Sequence, residues 1–258
     1  MTRRTPERKT PRLADNTAYD LWTALHEGER CAACLVVERM VALYFDRVSE
    51  EAVNDIELRA KLRAAGGFCA PHGKQWQALN DVLGTALIYN DVLGTALGVI
   101  RSGGAGAGPD NGGMMGRLRG MLGSGAANGP GSVLADALEP TAPCPVCDYT
   151  LQAEAQVVGS FARAADHHAE FRAAFAAHPV GLCLPHFRSV LRHTTKHAAQ
   201  LAEAHAHRLA EATGDLTEVI RKADYRYRDE ARGEEFAAAR RSVEQAAGAL
   251  PTQIKPPR

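Results

Sequence analysis

Cys31-Ala32-Ala33-Cys34 and Cys69-Ala70-Pro71-His72 are the first two of four short motifs that decide the fold of this chain. The same order returns as Cys144-Pro145-Val146-Cys147 and Cys183-Leu184-Pro185-His186. The gap between the two motifs is 34 residues in the first copy and 35 in the second, and the four motifs contain all six cysteines of the chain. This matched arrangement predicts a duplicated chain that binds metal.

The chemistry of the four motifs indicates zinc. Two cysteines three positions apart at the start of a helix direct both sulfurs to one centre, and the free N–H groups of the first turn stabilise thiolates. A Cys-x-x-His motif repeats this geometry with an imidazole. Two such motifs give a closed Cys3His tetrahedron, the ligand set of structural zinc. We therefore expect two zinc ions per chain, held by Cys31, Cys34, Cys69, His72, Cys144, Cys147, Cys183 and His186.

The sequence leaves several alternatives open at these sites. Cys31 and Cys34 can pair with Cys69 and His72 within one half of the chain, or with Cys183 and His186 across the halves. The pairing within halves is simpler, because each copy then carries its own site. An iron–sulfur cluster is an alternative cofactor, since three thiolates and a histidine can hold one. The remaining alternatives are redox disulfides and cysteines that serve only as small buried side chains.

Composition favours an all-α fold in the cytoplasm. Aromatic residues make up 6% of the 258 residues, and alanine and leucine dominate the apolar positions. Formal net charge is zero, so no whole-molecule field attracts nucleic acid or an anionic membrane. The N-terminus has no apolar stretch of the kind found in secretory signals. Residues 82–100 are nearly long enough to span a bilayer, but Asn90 and Asp91 interrupt them, so we predict a buried helix and no transmembrane segment.

The predicted organisation is two duplicated helical units, each stapled by one Cys3His site and joined by a glycine-rich linker. Twelve of the thirty residues 102–131 are glycine, and such a stretch cannot offset its ordering entropy by burial. The predicted segments are a disordered basic arm (1–14), a first metal-binding unit (15–101), the flexible linker (102–131), a second metal-binding unit (132–213), charged C-terminal helices (214–250) and a disordered tail (251–258).

Apolar periodicity predicts the helices. A first helix should run from Asn16 to Glu27 with Leu21 and Leu25 inward, and Gly28 should end it. Each Cys-x-x-His motif should open one long helix, the first reaching Ile100 and the second reaching about residue 209. The predicted inward stripe of the first long helix includes Trp76, Leu79, Leu83, Leu93, Leu97 and Ile100. Within it, the sequence DVLGTAL of residues 81–87 recurs at 91–97, so both copies should face nearly the same way.

Outside the metal motifs, one segment is a candidate contact site. Tyr225, Arg226, Tyr227 and Arg228 interleave aromatic rings with guanidinium groups, a pattern suited to phosphate or bases. The sequence contains no phosphate-binding glycine loop and no nucleophile elbow, and His193 and His197 lack the intervening glutamate of a zinc protease. We therefore name no catalytic residue and favour a non-enzymatic module that binds a macromolecule, a protein rather than nucleic acid. The alternatives are a redox-sensing or iron–sulfur protein and a nucleic-acid binder that uses the basic arm and the Tyr-Arg segment.

The sequence around the motifs also resembles a known family. Gly67-Phe68-Cys69 with His72, and Cys144-Pro145-Val146-Cys147, are similar to motifs of an uncharacterised bacterial family, a domain of unknown function. The similarity extends to residues 86–91 and 224–228. The resemblance implies a duplicated helical protein with both motif types in each half. It implies the same eight ligands and carries no activity.

Overall fold

Helices make up all the regular structure that can be described in this chain. A computed structural model describes residues 11–104, 130–227, 229–231 and 233–248, and no residue in these ranges lies in a strand. The all-α prediction is confirmed. The helices are α1 (Asn16–Glu27), α2 (Ala32–Arg47), α3 (Ile56–Ala64), α4 (Ala70–Ala78), α5 (Val82–Arg101), α6 (Pro130–Leu138), α7 (Pro145–His167), α8 (Ala169–Ala177), α9 (Leu184–His193), α10 (Ala198–Lys222) and α11 (Glu235–Ala247), with a π-helical turn at Val48–Ala52 and a 3₁₀ turn at Tyr225–Tyr227.

The chain divides into two compact units. The terminal unit combines Met1–Ala42 with Thr150–Arg258, and the central unit is Leu43–Tyr149. Each unit therefore takes segments from both halves of the sequence, unlike the units expected from a simple duplication. Residues 1–10, 105–129 and 249–258, which include most of the predicted arm, linker and tail, lie outside the described residues. Described residues depart from these predictions at two places: Leu13, in the predicted arm, is buried, and Pro130, in the predicted linker, begins α6.

In the terminal unit, α1 and α8 pack around an aromatic core. The Asp15 carboxylate caps α1 by accepting a hydrogen bond from the Ala18 N–H at 2.8 Å, and α1 has the bounds that its periodicity predicted. The Phe161 ring makes edge contacts with Phe171 and Phe175, at centroid distances of 5.1 and 5.5 Å. All three rings are fully buried. Each contributes about 2–3 kcal/mol from burial, so this cluster is a main source of the unit's stability.

In the central unit, α3 packs against α5 through an ion-paired cluster. The Asp91 carboxylate accepts hydrogen bonds from Arg59 at 3.2 Å and from Arg63 at 2.5 Å. Burial by itself raises the pKa of Asp91, but the two guanidinium groups lower it, and the net pKa falls below the usual value. Asp91, the one acidic side chain of the apolar helix α5, is thus held by two arginines of α3.

The prediction of one long helix after each Cys-x-x-His motif is wrong. The first is divided into α4 and α5 at Asn80, which has a positive φ of 56°, and at Asp81, whose carboxylate caps α5 through the Gly84 N–H. The second is divided into α9 and α10 by residues 194–197. There the buried Asp166 carboxylate accepts hydrogen bonds from the Thr194 hydroxyl at 2.6 Å and from two backbone N–H groups that follow it. In both places a carboxylate that accepts from backbone N–H groups gives the chain an alternative to continuing the helix.

The predicted orientation of α5 is also wrong. Its buried positions are Gly84, Ile88 and Val92. The residues predicted to face inward are exposed, Leu83 by 70% and Leu93 by 65%, and only 17% of the most apolar part of the helix is buried. The helix is therefore not the buried helix that we expected. By length and composition alone α5 is able to cross a membrane, and the absence of a transmembrane segment stays a prediction.

Candidate metal centres

The eight predicted ligands come together in two groups of four, one in each unit. The terminal group contains Cys31, Cys34, Cys183 and His186. The central group contains Cys69, His72, Cys144 and Cys147. In each group the candidate ligand atoms all lie within 4.8 Å of one another. The motifs pair across the halves of the sequence, so the simpler pairing within halves is not the arrangement found.

All four motifs lie at helix N-termini, as the spacing predicted. Cys69 and Cys183 are the N-caps of α4 and α9, and each is followed by a proline in the first turn. Proline has no N–H to lose there and its φ suits a helix start. Cys34 and Cys147 lie in the first turns of α2 and α7. The Cys34 N–H points at the Cys31 sulfur, at 3.5 Å. Local helix geometry thus aims both ligands of each motif at one centre.

The distances in the terminal group fit a tetrahedral zinc ion. With Zn–S of about 2.3 Å and Zn–N of about 2.0–2.1 Å, a tetrahedron has S–S edges of about 3.8 Å and S–N edges of about 3.6 Å. The His186 Nδ1 atom lies 3.6, 3.4 and 3.2 Å from the sulfurs of Cys31, Cys34 and Cys183. The Cys34 and Cys183 sulfurs are 3.9 Å apart. A disulfide needs about 2.05 Å, so these sulfurs are spaced for a metal and not for a bond.

The central group has the same dimensions. The His72 Nδ1 atom lies 3.2, 3.8 and 3.3 Å from the sulfurs of Cys69, Cys144 and Cys147. The Cys69 and Cys147 sulfurs are 3.5 Å apart. Cys69 is partly exposed and its three partners are buried. Both groups therefore match a tetrahedral ion, and the donor set of three thiolates with one imidazole suits a borderline-soft metal such as zinc.

The electrostatics of both groups favour a bound cation. Burial alone lowers the pKa of the His186 imidazole, but the three surrounding cysteine sulfurs raise it to about 12. In the central group burial raises the pKa of the Cys147 thiol, and the charges of Cys144 and Cys69 raise it further. Three thiolates in one buried place repel each other, and a divalent ion at their centre removes that repulsion.

A buried loop outside the motifs positions Cys183, and sequence reasoning missed it. The His178 Nδ1 atom accepts hydrogen bonds from the N–H groups of Val180 and Gly181, at 3.0 and 2.6 Å. The Arg208 guanidinium, also buried, donates to the His178 carbonyl at 2.8 Å and to the Phe175 carbonyl. Burial lowers the pKa of His178 to about 4, with the charge of Arg208 adding to the effect. A neutral histidine and a buried cation thus fix the turn that precedes the ligand.

The same loop ties the two motifs of the terminal group together. The Ala32 N–H, at the start of α2, donates to the Gly181 carbonyl at 3.0 Å. Gly181 has a φ of 66°, and a Cβ there would lie 2.7 Å from the Phe175 ring and 2.9 Å from Arg208. Only glycine fits this position. The glycine before each Cys-x-x-His motif was the one sequence signal for this loop.

The C-terminal helix also reaches the terminal group. A Cβ on Gly248, which follows α11, would lie 3.4 Å from the Cys183 sulfur and 4.0 Å from the Cys34 sulfur. Arg30 fixes this end of α11 by donating to Glu244 at 2.9 Å while it pairs with Glu38 of α2. No pattern in the sequence indicates that the charged C-terminal segment reaches this group.

Aromatic side chains surround the central group. Phe45 lies 6.3 Å from the His72 ring and 5.5 Å from Phe68, measured between centroids. The Trp76 ring, fully buried, lies 5.5 Å from Phe68, and its indole N–H donates to the Thr85 hydroxyl at 2.9 Å. These rings give the three buried candidate ligands an apolar setting, which restricts the approach of water.

The Tyr-Arg segment is described as far as Tyr227, where it forms a 3₁₀ turn. Tyr225 is 79% exposed, and Arg226 pairs with Asp224 at 2.8 Å. The Tyr227 ring faces the guanidinium of Arg221 at 4.5 Å, whereas Arg228 lies outside the described residues. His193 ends α9 and His197 precedes α10, so the break between these helices separates the two histidines.

Comparison with known proteins places this geometry in a family. The model of the family of unknown function DUF6062 matches residues 16–253. The chain belongs to this family. It is also 38% identical over 62 residues to an uncharacterized 23.9 kDa protein in the xynA 3′ region of Caldicellulosiruptor sp. (strain Rt8B.4). That match covers 24% of this chain and 30% of the relative. No solved structure matches the chain. Family membership thus confirms the expected resemblance to a domain of unknown function.

Proposed function

We propose that this chain is a non-enzymatic cytoplasmic protein that holds two structural zinc ions and acts by binding another protein. The observation that carries the proposal is the convergence of the eight ligands into two Cys3His groups with tetrahedral spacing. Four protein ligands fill the coordination sphere of zinc and leave no position for substrate or water. When bound, zinc would cross-link distant helix N-termini in each unit.

Zinc is proposed in preference to an iron–sulfur cluster because of the size of the groups. The sulfur–sulfur distances of 3.9 and 3.5 Å match the edge of a tetrahedron around one ion. In a [4Fe–4S] cluster each ligand binds a different iron, and in a [2Fe–2S] cluster two ligands bind each iron, so some of the four ligand atoms stand further apart than the 4.8 Å limit that each group here meets. A colourless protein with about two zinc ions per chain is the expected result of purification.

A protein partner is proposed in preference to nucleic acid because of the exposed surfaces. On α5, Leu93, Leu97 and Ile100 are each at least 45% exposed, and exposed apolar surface of this kind marks protein contacts. Arg226 of the Tyr-Arg segment is already paired with Asp224, and the nearby Arg221 is paired with Glu218 at 2.7 Å. Nucleic-acid binding would have to break these pairs.

Metal analysis of the purified chain, followed by chelation, tests the proposal. Structural zinc contributes about 10–16 kcal/mol of apparent binding free energy at neutral pH, against about 5–15 kcal/mol for the net stability of a domain. Removal of the metal should therefore abolish the cooperative melting transition followed by circular dichroism, and zinc should restore it. Unchanged melting in a metal-free sample would contradict a structural role.

A redox-sensing function is the second candidate, and the cavity beside the terminal group favours it because an oxidant can enter there. Two thiolates 3.9 Å apart, Cys34 and Cys183, border a cavity. Hydrogen peroxide would take two electrons from them, its O–O bond would break to give two waters after protonation, and the sulfurs would form a disulfide as zinc left. Zinc release at micromolar peroxide, followed with a chromophoric indicator, would favour sensing over a purely structural role.

A further inference from the structure

A cavity in the terminal unit lies directly beside the terminal metal group. Its volume is about 360 Å³, and Cys34, Cys183 and His186 form part of its wall. Small-molecule sites have volumes of about 300–1,000 Å³. The cavity is therefore large enough for a small organic ligand, and a structural zinc site has no need of one.

The α9 wall of the cavity carries two guanidinium groups. Arg188 and Arg192 both line it, and so does Ser189. They are four residues apart and so lie on one face of the helix. Neither forms a salt bridge within the part of the chain that the structure describes, in contrast to Arg30 and Arg221 of the same unit. Guanidinium forks match the oxygens of carboxylate and phosphate, so this wall suits an oxyanion.

The α7 wall of the cavity is mainly apolar. Leu151, Ala155 and Val158 line it, and Leu151 is 60% exposed. Glu154 is the acidic residue of this wall. An isolated inorganic ion would leave the apolar surface uncovered, whereas an organic group would bury it. The lining thus favours a molecule with an oxyanion at one end and an apolar body.

Charge in the cavity directs the oxyanion to α9. A zinc ion with three thiolates carries a net charge of about −1, and Glu154 adds another negative charge. Arg188 and Arg192 supply the two positive charges. The negative groups repel an anion from the metal and from α7, and the arginines attract it. We propose that this cavity binds a small organic oxyanion, a carboxylate or a phosphate on an apolar group, through Arg188 and Arg192. The proposal rests on zinc occupying the terminal group.

Titration of the zinc-loaded full chain with three matched probes tests the proposal. Benzoate and phenyl phosphate share a ring and differ in the oxyanion, and benzamide is their neutral counterpart. By calorimetry, at least one of the two anions should bind saturably and at least tenfold more tightly than benzamide. The stronger of the two identifies the oxyanion. Amide shifts in ¹H–¹⁵N spectra should map to α9. Benzamide binding as tightly as both anions, or no saturable binding, overturns the proposal.

Variants of matched charge assign the binding to the arginines. Arg188→Gln and Arg192→Gln should each weaken the anion at least tenfold. Arg39→Gln should leave it unchanged, because Arg39 is 66% exposed, pairs with Asp20 and does not line the cavity. Equal loss in all three variants would indicate non-specific attraction and refute the assignment. Zinc content and melting are measured on the same samples. If the wild-type chain holds both zinc ions but binds no anion, this inference alone is refuted. If the chain holds no zinc, the proposed function is refuted.

Discussion

The crossed pairing of the motifs predicts which double variants keep a metal site. Cys34 and Cys183 belong to one group, so changing both to alanine removes the terminal site and leaves the central site whole. Cys34 and Cys69 belong to different groups, so changing these two damages both sites. Pairing within halves predicts the reverse for each variant. Alanine is the substitution of choice because serine retains an oxygen that can ligate zinc.

The structure sets the size of the expected effects. Each intact group should bind about one zinc ion with about 10–16 kcal/mol of apparent free energy, which a site lacking one thiolate does not reach. Cys34→Ala/Cys183→Ala should thus keep about one zinc per chain and Cys34→Ala/Cys69→Ala about none. Native thiol titration gives a second count. In the first variant Cys31 alone should react, because zinc protects Cys69, Cys144 and Cys147. In the second all four remaining thiols should react.

Metal analysis after gel filtration, together with the thiol count, measures both outcomes. Wild-type protein with about two zinc ions per chain and no reactive thiol is the control. A variant that loses its fold in one unit still gives an interpretable result, because the other unit's zinc and protected thiols are counted separately. If Cys34→Ala/Cys69→Ala kept a full zinc equivalent with one reactive thiol, the crossed pairing would be refuted.

Three further predictions concern stability, each measured on the zinc-loaded chain by chemical denaturation. Ile88→Ala should cost about 2–5 kcal/mol because Ile88 is 1% exposed, whereas Leu97→Ala on the exposed face of the same helix should change stability by less than about 0.5 kcal/mol. Equal losses would contradict the orientation of α5. Gly181→Ala should destabilise by more than about 1 kcal/mol and weaken zinc retention, whereas Gly214→Ala, with open space around it, should stabilise by about 0.5–1 kcal/mol. His178 has a pKa of about 4 in the fold against about 6.5 when unfolded, so its contribution is present above pH 6.5 and is lost as pH falls towards 4. His178→Asn should make stability depend less steeply on pH across this window, and an unchanged slope would count against a neutral buried imidazole.

Local sequence predicted that the chain is helical and which residues form the two Cys3His groups, but not the breaks between helices. Residues 81–87 and 91–97 have the same sequence, DVLGTAL, yet a helix begins only at the first of them. Asp81 caps α5 and accepts a hydrogen bond from Ser49 at 2.7 Å. Asp91 lies inside α5 and pairs with Arg59 and Arg63. Because the two segments are identical, no local rule distinguishes them, and the choice comes from residues elsewhere in the chain. Which face of α5 is buried likewise depends on residues elsewhere in the chain.

The pairing of the motifs could not be predicted from the sequence, because the two possible pairings differ little in the chain entropy that they cost. Crossed pairing joins Cys34 to Cys183 across 149 residues and Cys69 to Cys147 across 78, whereas pairing within halves closes loops of about 35 residues. Since loop entropy grows only with the logarithm of length, the crossed arrangement costs about 2 kcal/mol more in total. Backbone contacts that do not involve the ligand side chains favour the crossed arrangement. The Ala32 N–H joins the Gly181 carbonyl in the terminal unit, and the N–H groups of Thr141 and Ala142 both donate to the Ala64 carbonyl in the central unit. These backbone bonds lie next to the ligands and involve residues with no distinctive side-chain chemistry, so the selection of partners is a property of tertiary packing and not of the motifs themselves.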